Sequence, residues 1–235
     1  MTQAIIVAAG KGSRLYPITD SIPKVMIPVG KQEKPMGQLI IEHCMSHGIN
    51  DFLFCLNKES GKQVINYFGD GSRFGIVINY SLSDEPQGTS GEVKLAYDRG
   101  LVKLPTLIYY GDTLCQTDLS LMMASSFSDV TVVVNDEVRM QYGFIEDLFG
   151  RAENIIEKPR LKDMLPERSV GAIMSIYYVK TEDFFSKYCR YGIDISGDVL
   201  PGMMGGYLIT VFHDRNPFID VGNWQAFTQA KKWDI

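Results

Sequence analysis

A short apolar run near the start of the chain leads directly into a segment of small residues, glycines and cations. The run covers residues 4–7, and the segment that follows, residues 8–24, reads AAGKGSRLYPITDSIPK. A strand followed by a glycine-containing turn allows backbone N–H groups to approach phosphate oxygens. The segment therefore predicts a nucleoside triphosphate site immediately after the first strand.

The glycines and the cations of this segment serve different needs. Gly10 and Gly12 lack a Cβ, so the main chain can fold tightly around a phosphate group. Arg14 offers a planar fork for two phosphate oxygens, and Lys24 offers a compact point charge. We expect Arg14 and Lys24 to act in catalysis. The residues expected to bind the nucleotide here are Ala8, Ala9, Gly10, Gly12 and Ser13.

Two common phosphate-binding motifs do not fit the segment. The P-loop motif needs Gly-Lys-Ser/Thr after a four-residue gap from its first glycine, and the chain has no such run. A dinucleotide-binding fold needs a third glycine where this chain has Leu15. It also needs an acidic residue at the end of the second strand, where the chain has Leu56 and Asn57.

Hydrophobic periodicity predicts alternating strands and helices after the first loop. Helices are expected at residues 36–47 and 59–68, and strands at residues 51–56, 75–81 and 106–110. This alternation is typical of a mostly parallel sheet covered on both faces, with the strand ends meeting at one edge. We therefore predict an α/β protein with its ligand site at that edge.

Two further segments are expected at the same edge. Gln87, Gly88 and Thr89 precede a helix predicted to begin near Glu92, so backbone N–H groups and an amide could read a nucleobase. Asp112 follows the strand at residues 106–110, where a carboxylate can ligate a hard cation that bridges phosphates. Asp112 is predicted to be catalytic and to be the first metal ligand.

The opening segment resembles that of the sugar-1-phosphate nucleotidyltransferases. Their pattern is Gly-X-Gly-Thr/Ser-Arg-Leu, then Pro and Thr, then Pro-Lys before Pro-Val and Lys-Pro-Met. The matching residues are Gly10, Gly12, Ser13, Arg14, Leu15, Pro17, Thr19, Pro23, Lys24, Pro28, Val29, Lys34, Pro35 and Met36. The resemblance implies a three-layer, Rossmann-like, mostly parallel sheet with a small sugar-binding β subregion. It also implies one domain, in which residues 1–135 bind the nucleotide and residues 136–235 form the sugar half and a closing helix.

The resemblance assigns roles in the second half of the chain. Gly143 would help to close the sugar site, Glu157 would contact sugar hydroxyls and Lys158 would contact the sugar phosphate. Asp220, in a match to the family's Asp-Ile-Gly, would be the second ligand of a Mg²⁺ cofactor. The implied substrates are a nucleoside triphosphate and a sugar 1-phosphate, which react to give a nucleoside-diphosphate sugar and pyrophosphate.

One departure from the family pattern affects the sugar site. The family has Asn-Ala-Gly before Ile-Tyr, where this chain has Ile173, Met174 and Ser175 before Ile176 and Tyr177. The amide that commonly reads the sugar is therefore replaced by an apolar side chain, which predicts a more apolar half-pocket.

The resemblance favours one nucleobase and one class of acceptor, and it leaves several alternatives open. The segment at residues 88–89 and the compact length favour GTP with mannose or heptose 1-phosphate. The alternatives are cytidylyl, uridylyl or thymidylyl transfer to glucose 1-phosphate, or another phosphate acceptor such as phosphocholine. A non-catalytic nucleotide-sugar binding regulator and an NAD(P)-dependent oxidoreductase are the alternatives from other classes.

Composition limits the classes of partner. The 235 residues are 45% hydrophobic and 22% charged, which is enough apolar material for a large core, and the net charge of −5 argues against a general nucleic-acid binder. No apolar run approaches the ~20 residues that span a bilayer, so a cytoplasmic protein is expected. The four cysteines are widely spaced and are expected to be free thiols. Assembly from identical subunits is a further expectation of the resemblance.

Overall fold

The computed structural model describes residues 1–136, 143–157 and 169–234. Its strands are β1 Gln3–Val7, β2 Pro28–Val29, β3 Lys34–Pro35, β4 Asp51–Asn57, β5 Val77–Ser83, β6 Thr106–Tyr110, β7 Thr113–Cys115, β8 Val130–Asn135, β9 Gly143–Leu148, β10 Arg151–Glu157, β11 Ser169–Val179, β12 Ile209–Asp214 and β13 Phe218–Asp220. Its α-helices are α1 Ile18–Ser21, α2 Met36–Ser46, α3 Lys58–Phe68, α4 Gly88–Asp98, α5 Leu119–Ala124, α6 Leu200–Met203 and α7 Trp224–Ala230. Shorter helical turns cover Ser13–Leu15, Lys24–Met26, Ser72–Phe74, Phe184–Tyr188 and Ile195–Val199.

Among the described residues, nine strands form one sheet, in the order β5-β4-β1-β6-β11-β8-β12-β10-β9. The first four strands of this order are parallel, so their carboxyl ends meet at one edge. Strand β11 runs antiparallel to both β6 and β8, and β9 and β10 form an antiparallel pair. The α/β class is confirmed. Strands β5, β4, β1 and β6 form a parallel part of the sheet, and the strands from β11 to β9 form a mixed part.

Two hydrophobic cores cover the two faces of the sheet. Along β1, Ala4 and Ile6 enter one core, while Ile5 and Val7 enter the other, as the two-residue period of a strand requires. The first core is closed by α2, α3, α5 and α7, and the second by α4, α6 and the helical turns between residues 184 and 199. The three-layer arrangement predicted from the resemblance is therefore present.

Most of the element predictions agree with the structure within a few residues. The main difference is α4, which begins at Gly88 and not near Glu92. The helix can begin early because glycines allow the segment at residues 191–193 to pack against its first turn. A Cβ at Gly88 would lie 2.6 Å from the Ile193 carbonyl oxygen, and one at Gly91 would lie 3.0 Å from Tyr191 Cα.

All four cysteines are buried thiols outside any disulfide. In the part of the chain that the structure describes, no helix combines the length and apolarity needed to cross a bilayer.

Strand β11 is irregular at the position where the sequence departs from the family. Four steps along β11, from Ile173 to Tyr177, oppose two steps along β8. Within this bulge Ser175 has φ = 60°, in the left-handed region that favours glycine. Serine therefore adopts a left-handed conformation at the position where the family pattern has glycine.

We expect Ser175→Gly to stabilise the protein by about 0.5–1 kcal/mol, because glycine relieves the left-handed strain and loses part of that gain to backbone entropy. Ser175→Val should be destabilising by more than 1 kcal/mol, since a β-branched residue tolerates positive φ poorly. Denaturant midpoints of the two variants and the wild type provide the measurement. A lower midpoint for Ser175→Gly, as for a glycine placed in an ordinary strand, would contradict this account.

A partly buried charge cluster joins the ends of β8 and β12 to β9. His213 Nδ1 lies 2.7 Å from Asp136 Oδ1, and His213 Nε2 lies 2.7 Å from Asp147 Oδ1. Burial opposes the charged imidazolium, but the hydrogen bonds and charges of the two carboxylates outweigh it and raise the pKa of His213. Arg215 pairs with the second oxygen of Asp136 at 2.8 Å.

This raised pKa predicts a pH-dependent contribution to stability. The stabilisation is fully present below the unfolded pKa of histidine, about 6.5, and is lost as pH rises through the higher folded value. The melting temperature should therefore fall between pH 6 and pH 9, and His213→Gln should remove part of that fall. A fall of equal size in His213→Gln would show that another group causes it.

Candidate active site

The loop between β1 and α1 folds back on itself at Gly12. Gly12 has φ = 65°, and its carbonyl oxygen accepts a hydrogen bond from Thr19 Oγ1 at 3.0 Å. A Cβ at this position would lie 2.9 Å from Thr19 Cγ2, so a side chain would be both strained and crowded. The predicted need for glycine at this turn is therefore explained by the geometry.

The same loop exposes backbone donors. Within the described ranges, the N–H groups of residues 10–13 donate to no protein acceptor. Successive unpaired N–H groups in a turn form an anion-binding concavity. Phosphate oxygens could therefore accept hydrogen bonds from these N–H groups, as the sequence predicts.

A cleft of about 210 Å³ lies between this loop and the end of β6. Seven residues predicted from the sequence line it, namely Ala8, Gly10, Gly12, Ser13, Arg14, Lys24 and Asp112. Two glycines, Gly111 and Gly222, also line it. At Gly111 a Cβ would lie 2.8 Å from Ala8 Cβ, so the close approach of β6 to the first loop needs this glycine.

Lys24 and Asp112 form an ion pair across the cleft. Lys24 Nζ lies 2.6 Å from Asp112 Oδ2, and the two side chains are 13% and 28% exposed. The lysine is brought there by the turn Lys24–Met26, and the aspartate by the end of β6. Lys24 therefore points into the cleft, next to the glycine turn.

Asp220 reaches the same place from the far end of the chain. Strand β13 pairs with β7 so that Asp220 lies opposite Thr113, and Val221 N–H donates to the Asp112 carbonyl at 2.8 Å. This pairing places the two predicted metal ligands, Asp112 and Asp220, side by side. The spacing of Asp112 and Asp220 in the sequence does not by itself predict that their carboxylates lie close together.

The environment of Asp220 is unfavourable to its charge. Burial, together with the nearby charge of Asp112, raises its pKa to about 6, although Lys24 and Arg14 act in the opposite direction. Its Oδ1 atom is buried and has no hydrogen-bond partner in the described part of the protein. A buried carboxylate oxygen of this kind is suited to an external cation.

Arg14 converges on the same carboxylate. A Cβ at Gly222 would lie 3.1 Å from Asp220 Oδ1 and 3.4 Å from Arg14 Nη2. The glycine therefore leaves the space in which a guanidinium and a carboxylate approach each other. Two cations, one carboxylate and a row of backbone donors line the cleft, and Asp220 lies beside them next to Gly222.

The predicted base-reading segment lies away from this cleft. Thr89 Oγ1 donates to Asp194 Oδ2 at 2.7 Å and accepts from Ile195 N–H at 3.0 Å. Gln87 Nε2 donates to the Glu85 carbonyl at 2.8 Å. Gln87, Gly88 and Thr89 are absent from the described lining of the cleft, so their contact with a nucleobase stays a prediction.

The predicted sugar-binding residues are only partly described. Gly143 begins β9 and pairs in register with Glu157 at the end of β10, while Lys158 lies outside the described residues. Ile173, which replaces the family's asparagine, is buried in the second core. The roles of Gly143, Glu157 and Lys158 in binding sugar phosphate stay predictions.

Two histidines on α2, His43 and His47, are engaged in other contacts. His43 Nε2 lies 2.9 Å from the Thr117 carbonyl oxygen, and His47 Nδ1 lies 3.1 Å from Ser120 Oγ. No group of three or more metal-ligating side chains occurs among the residues that the structure describes.

Asn57 was missed as a site residue from the sequence. Its Nδ2 donates to the Ala9 carbonyl at 2.7 Å, and its Oδ1 accepts from Ser60 N–H at 2.8 Å. An asparagine three residues before a serine at a helix start is a signal for an N-cap, and that signal could have been read. Its contact with the first loop depends on the pairing of β1 with β4 and has no local signal.

Comparisons with known proteins show which family the chain resembles. The family model described as "Nucleotidyl transferase" matches residues 3–234. A glucose-1-phosphate thymidylyltransferase of Neisseria meningitidis is 34% identical over 75% of this chain and 60% of its own length. A UTP–glucose-1-phosphate uridylyltransferase of Synechocystis is 27% identical over 97% of this chain and 62% of its own length.

Solved structures share the fold. The crystal structure of HddC from Yersinia pseudotuberculosis, complexed with GMP-PN, has a TM-score of 0.78 at 24% identity and covers 99% of each chain. The chain spans about three fifths of the length of the curated relatives named above. Because the family model matches almost the whole chain, the protein belongs to the nucleotidyl transferase family.

Proposed function

We propose that this protein transfers a nucleotidyl group from a nucleoside triphosphate to a sugar 1-phosphate and releases pyrophosphate. The observation that carries the proposal is that Arg14, Lys24 and Asp112 line one cleft together with unpaired backbone N–H groups, and that Asp220 lies beside them. Family membership supports the same reaction class.

The reaction asks for positioning and charge neutralisation. An oxygen of the sugar phosphate attacks the α-phosphorus, a new P–O bond forms, and the bond between the α-phosphorus and its bridging oxygen breaks as pyrophosphate leaves. A phosphate monoester with a second pKa of about 6 is already ionised at neutral pH, so no general base is needed. Lys24 and Arg14 reduce the repulsion between two polyanions and stabilise the charge that develops on the transferring group.

The two carboxylates fit a magnesium ion. Mg²⁺ is usually bound by one or two carboxylates together with substrate phosphates, and Asp112 and Asp220 provide such a pair. The unpartnered Oδ1 of Asp220 supports this assignment. When bound, the metal supplies positive charge that polarises a phosphoryl oxygen. Asp112 and Asp220 would hold it, and Lys24 keeps Asp112 oriented through their ion pair.

The curated relatives favour glucose 1-phosphate as the acceptor and TTP or UTP as the donor. The two relatives are named as thymidylyl- and uridylyltransferases of glucose 1-phosphate. They fit the alternative drawn from the sequence better than its first preference, GTP with mannose or heptose 1-phosphate. The likeness to HddC, at 24% identity, concerns the fold.

A pyrophosphate-release assay tests the proposal. The full chain is incubated with Mg²⁺ and each of dTTP, UTP, CTP, GTP and ATP, with glucose 1-phosphate, mannose 1-phosphate, phosphocholine or no acceptor. We expect the fastest release with glucose 1-phosphate and dTTP or UTP. Tight triphosphate binding without release from any pair would support the non-catalytic binder, and binding of NAD(P) would support the oxidoreductase.

A further inference from the structure

The carbonyl group of Ala9 is held from outside the phosphate loop by one buried side chain. Asn57, which is 8% exposed, donates from Nδ2 to this oxygen at 2.7 Å. Asn57 is the last residue of β4 and the N-cap of α3. The contact therefore joins the loop that follows β1 to the start of α3, the helix that follows β4.

The direction of this contact determines where the next N–H group points. The carbonyl of Ala9 and the N–H of Gly10 belong to one planar peptide unit, and in a trans peptide they point in opposite directions. Asn57 lines a second cleft, of about 290 Å³, between residues 10–24 and the start of α3, and Gly10 lines both this cleft and the first one. Arg14 and Asp112 line the first cleft, on the other side of the loop. Because the Ala9 carbonyl is held toward Asn57, the Gly10 N–H points away from Asn57, and Gly10 lines the first cleft together with Arg14 and Asp112.

A flip of the Asn57 side-chain amide would break both of its hydrogen bonds. Its Oδ1 accepts from Ser60 N–H at 2.8 Å while its Nδ2 donates to Ala9. Exchanging the two ends would place two oxygens against each other at Ala9 and two donors against each other at Ser60. The neighbouring residue, Ala8, is held as well, through its N–H to the Cys55 carbonyl at 2.9 Å.

We propose that Asn57 is a positioning residue for the triphosphate, which fixes the peptide between Ala9 and Gly10 so that the Gly10 N–H is ready to donate to a phosphate oxygen. The inference rests on the proposed function only in that it assumes a polyphosphate ligand in the first cleft. A donor that is already oriented costs no reorganisation when the ligand binds.

Two substitutions separate this role from helix capping. Serine and aspartate both cap helices about as well as asparagine, but serine is too short to reach Ala9 and aspartate has no donor. We expect Asn57→Ser and Asn57→Asp to bind inorganic tripolyphosphate about tenfold more weakly in titration calorimetry. The KM for the triphosphate should rise similarly, while the KM for the sugar phosphate stays near the wild-type value in both variants. The melting temperature should stay near the wild-type value in Asn57→Ser and fall in Asn57→Asp, where a carboxylate oxygen faces the Ala9 carbonyl.

The control is Asn66→Asp, which makes the same change on the exposed face of the same helix and should bind tripolyphosphate like the wild type. A second measurement needs no change at Asn57. In ¹⁵N-glycine spectra of the wild type, tripolyphosphate should shift the Gly10 amide resonance strongly, and Gly10→Ala identifies that resonance because its Cβ would meet no atom within 4 Å.

The results of these measurements distinguish a failure of this inference from a failure of the proposed function. A folded Asn57→Ser that binds tripolyphosphate within about twofold of the wild type, or a Gly10 resonance that does not move, overturns the proposal. A wild type that binds no tripolyphosphate overturns this inference, whereas the pyrophosphate-release assay decides the proposed function separately. A wild type that binds tripolyphosphate but releases no pyrophosphate in the assay overturns the proposed function alone, since the comparison of the Asn57 variants still stands.

Discussion

Replacing Asp112 by asparagine is expected to reduce turnover by about 10²- to 10³-fold, which is the cost of losing one charged group at a reacting phosphate. The carboxylate lies 2.6 Å from Lys24 Nζ and beside Asp220, so it is at the centre of the charge arrangement. The fold should survive, because asparagine keeps the shape and can still accept from the lysine. The like-charge repulsion that helps to raise the pKa of Asp220 also disappears.

The measurement for Asp112→Asn is pyrophosphate release as a function of magnesium concentration, together with the melting temperature. The matched control is Asp118→Asn, since Asp118 caps α5 by accepting from Leu121 N–H and asparagine caps equally well. An Asp112→Asn variant with the wild-type rate and the wild-type magnesium dependence would refute the assignment of Asp112 as a metal ligand.

Replacing Lys24 by alanine is expected to lower kcat/KM by about 10²-fold or more. The lysine side chain is only 13% exposed and faces a cleft that Asp112 lines and next to which Asp220 lies. Without it, a triphosphate would meet those carboxylates with less compensation of charge, so both binding and the developing transition state suffer. Lys24 also acts to lower the pKa of Asp220, so its removal should raise that pKa further.

Lys24→Arg tests whether charge alone is sufficient. Arginine keeps the charge but has a broader head group, so we expect only partial recovery of kcat/KM. The control is Lys103→Ala, which breaks an ion pair with Asp51 on the surface and should leave activity unchanged. Equal losses in Lys24→Ala and Lys103→Ala would mean that the cleft lysine contributes no more than general surface charge.

Parts of the site could be predicted because their signals are local. The apolar run before Ala8, the glycines at positions 10 and 12, and the cations Arg14 and Lys24 all lie within one short segment. That segment carries its own strand and turn preferences. Its geometry in the structure, including the positive φ of Gly12, agrees with that prediction.

Boundaries and bulges were harder to predict from the sequence. The early start of α4 at Gly88 depends on the segment at residues 191–193, which packs against it from far along the chain. The left-handed conformation of Ser175 depends on the unequal pairing of β11 with β8. Contacts between distant segments decide both features, and residue preferences alone do not record such contacts.

The sequence by itself determined the α/β alternation, the phosphate loop and the types of residue available for phosphate chemistry, because these follow from short-range periodicity and turn preference. Only the tertiary structure decided which of those residues meet. Lys24 and Asp112 are 88 residues apart in the chain, and Asp220 joins them only because β13 pairs with β7. Asn57 contacts Ala9 for a similar reason, since parallel pairing of β1 with β4 brings two strand ends to the same edge.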